Sequence, residues 1–91
     1  MADDRDYGIP QTADSVEILK DLECQEKDII SGEGAPEMFP KGTRMGVLDV
    51  YKDRKEVLVE IYDQDDFQWN VLYYLPFSDV KVVYRPFENS K

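Results

Sequence analysis

The sequence predicts a small, mainly β domain, and three observations carry that prediction. Between residues 40 and 85, short runs rich in Val, Leu, Ile and aromatic residues alternate with polar residues at period two. Polar, mostly charged groups of four, residues 52–55 and 63–66, separate these runs at hairpin spacing. Ninety-one residues leave room for one hydrophobic core and no second.

Composition narrows the class further. With 42% hydrophobic residues the chain can fill a core without staples, and its single cysteine, Cys24, excludes an intrachain disulfide. The net charge of -9 repels phosphate backbones, so no direct contact with nucleic acid is expected. The charge is also uneven: residues 1–37 carry eleven acids against three bases, whereas residues 38–91 are close to neutral. No segment approaches the ~20 apolar residues of a membrane span, and no apolar run follows the opening MADDRDYGIP. A cytoplasmic protein without membrane association is the expectation.

Residues 1–13 are polar, contain Gly8 and Pro10 and show no apolar period, which predicts a flexible acidic arm. A small anchor through Tyr7 and Ile9 is the alternative. Residues 14–86 form the single domain. Its first part, residues 14–30, reads two ways. At period two, Val16, Ile18, Leu22 and Cys24 share one face of a strand interrupted by Lys20. At helical period, Leu19, Leu22, Ile29 and Ile30 share one side, with Asp14 as cap and Gly32 as stop. Residues 31–43 hold three glycines and two prolines and read as loop, with Met38 and Phe39 folding back onto the core.

Strands are predicted at residues 44–51, 56–62, 69–75 and 80–84. Gly46 inside the first suggests a bulge or bend. In the second, Val57, Val59 and Ile61 take one face and Leu58, Glu60 and Tyr62 the other. In the third, Trp69, Val71, Tyr73 and Leu75 oppose Asn70, Leu72 and Tyr74. Residues 76–79 break the chain as one 3₁₀ turn, with Phe77 as a plug beneath it. Pro86 ends the domain and residues 87–91 are a tail.

Two hairpins, the break at LPFSDV and the closing KVV resemble the last four strands of an SH3-like barrel. The run KGTRMGVLDVY followed by EVLVEIYD is similar to small bacterial proteins of this barrel type whose function is unassigned. The resemblance spans residues 40–85. It implies a small five-stranded SH3-like barrel in which residues 16–24 form the first strand and residues 25–43 a long acidic loop. It implies no activity.

Chemistry is constrained by what is missing. The chain has no histidine, which removes the commonest general base and every Ser-His or Cys-His pair. Cys24 sits among acids, which disfavour its thiolate. Asp63, Asp65 and Asp66 make an oxygen-rich turn, but the glycine and the distant glutamate of a calcium loop are not in place. No phosphate-cradling glycine pattern occurs. Neither catalysis, nor a bound metal, nor a cofactor is expected.

What remains is a surface. Tyr62, Leu72 and Tyr74 fall on the strand face turned to solvent, with Asp63, Asp65 and Asp66 at its rim, unless the N-terminal segment covers them. Exposed tyrosines in a cluster are enriched at protein interfaces. This points to a non-catalytic interaction module for a basic or proline-containing protein surface, acting as a monomer or weak homodimer. Two alternatives fit the composition: a small acidic inhibitor that mimics nucleic acid in a basic channel, and an accessory subunit of a larger complex.

Overall fold

Period-two alternation sends one set of side chains to a single interior. The computed structural model describes residues 7–86. Within them lie β1 (Ser15–Ile18), β2 (Leu22–Glu23), β3 (Ile29–Gly32), β4 (Met38–Phe39), β5 (Arg44–Tyr51), β6 (Glu56–Tyr62), β7 (Trp69–Pro76) and β8 (Val80–Tyr84). Two 3₁₀ turns, Glu26–Asp28 and Phe77–Asp79, are the only helical elements among the described residues. The fold is mainly β and every strand pairing is antiparallel.

The main sheet has six strands in the order β3-β7-β6-β5-β1-β8, and β2 and β4 form a second, two-stranded ladder. Its inner face is lined by Val16 and Ile18 of β1, Val57 and Val59 of β6, and Val71, Tyr73 and Leu75 of β7, all buried. Their partners across β6 and β7, Glu60 opposite Leu72 and Leu58 opposite Tyr74, face outward, as the alternation predicts.

Several expectations are corrected. The first strand does not run from residue 16 to 24. Lys20 falls on the parity of Val16, Ile18 and Leu22, and a charge there would enter the core. The chain bends at residues 19–21 instead, and Lys20 Nζ meets the Asp79 carboxylate at 3.0 Å. The Asp21 carboxylate accepts the Lys41 N–H at 2.8 Å, and the chain resumes as β2. The helix reading of residues 14–30 survives only as the turn Glu26–Asp28.

Residues 25–43 are not one structureless loop either. Ile29 pairs with Val71, which makes β3 a sixth strand of the sheet beyond the expected five. Phe39 returns to the core and packs on Trp69 and Tyr73, whereas its neighbour Met38 takes the opposite strand face and is exposed. The bulge in β5 falls at Leu48, not Gly46. Val47 pairs with Val59 and Asp49 with Leu58, so Leu48 is the extra residue. Simple alternation would turn Asp49 inward; the extra residue turns it out and returns Val50 to the core beside Val57.

The arm expected at residues 1–13 is anchored over its described part, residues 7–13; residues 1–6 lie outside the described residues. Asp14, 1% exposed, binds Arg85 side by side: Nε donates to Oδ1 at 2.9 Å and Nη2 to Oδ2 at 2.8 Å. The same guanidinium donates to the Tyr7 and Ile9 carbonyls and lies over the Tyr7 ring. The Gln11 N–H completes the carboxylate at 2.8 Å.

A buried ion pair stripped of one member leaves an uncompensated charge. Asp14→Ala or Arg85→Ala should therefore lower stability by about 3–5 kcal/mol in urea unfolding. Arg85→Lys should recover only part of this, because an ammonium cannot span both carboxylate oxygens and two carbonyls. Gly32 (φ +91) gives a second expectation: a Cβ there would overlap the Gln68 carbonyl. Gly32→Ala should free β3 from β7, read as faster exchange of the Glu33 N–H that binds Gln68.

Candidate functional site

The outer face of β6 and β7 is built by register alone. Tyr62 stands opposite Asn70, Glu60 opposite Leu72, and Leu58 opposite Tyr74. Tyr62 and Tyr74 are thus four residues apart along the ladder, about 13 Å at strand rise. The structure does not gather the predicted site residues into one patch; it places them at two ends of one face.

At one end, Tyr62 (41% exposed) stacks on Phe67 (73% exposed), ring centres 5.8 Å apart and planes 16° from parallel. The turn at residues 63–68 holds Phe67 there. Asp63 accepts the Asp65 N–H on Oδ1 at 3.1 Å and the Gln68 N–H on Oδ2 at 3.3 Å, and its carbonyl accepts the Phe67 N–H at 3.2 Å. Asp63 therefore builds the turn, while Asp65 and Asp66 are left exposed at its rim. Phe67 adopts φ +55, a left-handed conformation that costs a side-chain-bearing residue about 1–2 kcal/mol. A large aromatic side chain held at that backbone angle and in water is costly on both counts, and such positions concentrate at ligand contacts.

At the other end, Tyr74 (61% exposed) leans on Tyr51 at 6.1 Å. The Arg54 guanidinium lies 4.4 Å over the Tyr51 ring and meets Glu56 at 3.3 Å. Between the two ends, Leu72 is half-buried beside Glu60. The Glu60 carboxylate accepts the Asn70 side-chain N–H at 2.7 Å, and Asn70 Oδ1 is buried with no hydrogen-bond partner.

Three depressions open on this face. One of about 420 Å³ runs between the 3₁₀ turn and β3 on one side and Leu72 and Tyr74 on the other. A second, about 350 Å³, lies where Gly46 leaves space beside Glu60, Tyr62 and Arg44. The third, about 240 Å³, is lined by Ser31, Glu60, Tyr62, Phe67, Trp69 and Asn70. The described N-terminal residues 7–13 contact Arg85 and Asp14, and Tyr62 and Tyr74 remain exposed.

Cys24 and Tyr73 lie on the inner side. Burial, opposed by its bond with Tyr73 and reinforced by Asp28, raises the Cys24 thiol above the ordinary thiol range. Burial also raises the Tyr73 hydroxyl, whose O–H donates to the Glu23 carbonyl at 2.8 Å. Both groups stay neutral near pH 7.

Sequence reasoning singled out Tyr62, Leu72, Tyr74, Asp63, Asp65 and Asp66 but passed over Phe67, Glu60 and Asn70. The signal for Phe67 was present: an aromatic residue at the end of an acidic turn has no inward neighbour to join. Comparison with protein-family models, curated proteins and solved structures finds no match to this chain. Fold and face together define a small antiparallel all-β domain with aromatic pairs at both ends of one open strand face. No helix among its described residues is long and apolar enough to cross a membrane.

The Asp63 carboxyl is lowered below the usual Asp range, chiefly by the Asp65 N–H, against the opposing effect of burial and with help from Gln68 and Asp66. A folded pKa below the unfolded one stabilises the turn above about pH 4 and withdraws that support as pH falls through the folded value. An NMR titration should show the Asp63 midpoint below that of a free Asp. Asp63→Asn should remove the accompanying shift of the Phe67 ring signals.

Proposed function

We propose that this chain is a non-catalytic protein–protein interaction module of SH3-like arrangement, which binds a partner with a basic surface through the outer face of β6 and β7. The strand order supports the fold reading. β1 lies between β5 and β8, two hairpins join β5, β6 and β7, and the 3₁₀ turn Phe77–Asp79 precedes the closing strand. A barrel of this kind brings the first and last strands together, as β1 and β8 are here.

One observation carries the functional reading: Tyr62, Phe67 and Tyr74 stand exposed on a single face that no described segment covers. Clustered aromatic rings with polar rims are the composition of binding-energy hot spots. The rim is acidic at the Tyr62 end, through Asp65 and Asp66 beside Tyr62 and Glu60 along β6, whereas Glu56 at the other end is met by Arg54. An acidic rim steers a basic partner and rejects an acidic one.

The test is to capture the partner with tagged protein, then measure affinity for wild type, Tyr62→Ala and Tyr74→Ala at low and moderate salt. Each substitution should weaken binding by about tenfold or more while the fold is kept, with only a shallow salt dependence. Unchanged affinity in both variants overturns the assigned face. A steep loss of wild-type affinity with salt, and no effect of the tyrosines, points instead to an acidic mimic acting on a basic channel. A partner that never dissociates favours an accessory subunit.

A further inference from the structure

We infer that the cup at the Tyr62 end, lined by Tyr62, Phe67, Trp69, Glu60 and Asn70, is a binding site for an arginine side chain of the partner. The inference rests on the proposed reading of the β6–β7 face and names the group that the Tyr62 end of that face recognises.

The chain's own arginines supply the chemical pattern. Arg85 lies over the Tyr7 ring at 5.2 Å and binds the Asp14 carboxylate. Arg54 lies over the Tyr51 ring at 4.4 Å and meets the Glu56 carboxylate at 3.3 Å. In each case one guanidinium uses an aromatic face and a carboxylate together. A third such grouping, the Tyr62–Phe67 stack with Glu60, has rings and a carboxylate, but no lysine or arginine lines it. Arg44, which borders the neighbouring depression, makes no ion pair with Glu60.

The carboxylate favours arginine over other donors. Glu60 holds the Asn70 N–H on Oε2, which orients its carboxylate beside the rings and leaves a negative charge without a basic partner. A planar cation with five N–H donors matches a lining of ring faces and a carboxylate. A lysine ammonium, more strongly hydrated and without a plane, matches it less well. The position of Phe67 fits the same role: its left-handed backbone and 73% exposure are unfavourable in the free protein and place a ring where a cation can stack.

The experiment uses the full chain, isotope-labelled, titrated with N-acetyl-arginine methylamide and followed by NMR. The expected result is a saturable shift of the Trp69 indole N–H and the Asn70 side-chain amide, absent with the neutral citrulline counterpart and weaker with lysine. Glu60→Gln, whose amide oxygen can still receive the Asn70 N–H, should weaken the arginine compound roughly tenfold. Phe67→Gly, which adopts the left-handed conformation without strain, should keep the fold and abolish the shift. No shift with arginine, an equal shift with citrulline, a lysine affinity as high, or an unchanged affinity in Glu60→Gln overturns the inference. Tyr74→Ala, outside the cup, should leave the titration unaltered. Because the probe needs no partner, its failure leaves the wider face standing, and a failure of Tyr74→Ala to weaken the partner leaves the cup standing.

Discussion

The buried pair of Asp14 and Arg85 joins positions 71 residues apart, and much of the molecule depends on it. Asp14 immediately precedes β1, and Arg85 immediately follows β8. The pair fixes the ends of two strands that lie side by side, with β1 linking β8 to the rest of the sheet. Two charges can be buried here because their hydrogen-bonding capacity is matched: the carboxylate receives Nε, Nη2 and the Gln11 N–H, and the guanidinium also reaches two backbone carbonyls. Those carbonyls belong to Tyr7 and Ile9, so the same contact draws the described N-terminal residues to this end of the sheet. Among the described residues, Tyr62 and Tyr74 on the face of β6 and β7 remain exposed.

That open face obeys a simple logic. An antiparallel sheet with one side on the core shows water every second residue, and a soluble chain fills those positions with polar groups. Here the outward positions mix polar groups with apolar and aromatic ones: Glu56, Leu58, Glu60 and Tyr62 on β6, and Asn70, Leu72 and Tyr74 on β7. At the Tyr74 end the chain covers a ring with its own Arg54. At the Tyr62 end it sets out Phe67 on a costly backbone conformation, next to an unpaired carboxylate and an orphaned amide oxygen. The asymmetry between the two ends gives the face a direction.

The four strands β5 to β8 were legible because each carries its own signal. Val57, Val59 and Ile61 against Leu58, Glu60 and Tyr62 is an alternation that only a half-buried strand satisfies, and the charged turns at residues 52–55 and 63–66 mark its limits. Residues 14–43 carried no such signal. Ile29 looks equally good in a helix or a strand until Val71 offers a free strand edge, and Phe39 reads as loop until Trp69 and Tyr73 leave a gap for its ring. Of the site, Tyr62, Leu72 and Tyr74 were legible as outward residues. Their separation into two clusters was not, since it depends on the pairing register.

The sequence by itself determined the mainly β class, the inner and outer faces of β6 and β7, and the lack of histidine, because these follow from local periodicity and composition. Only the tertiary structure decided that Arg85 seizes Asp14, that the β5 bulge falls at Leu48, and that Glu60, Asn70 and Phe67 meet at one cup. Each of these is a contact or a register between segments far apart in the chain. It is set by what the neighbouring strand leaves buried, unpaired or exposed, which no single stretch of residues encodes.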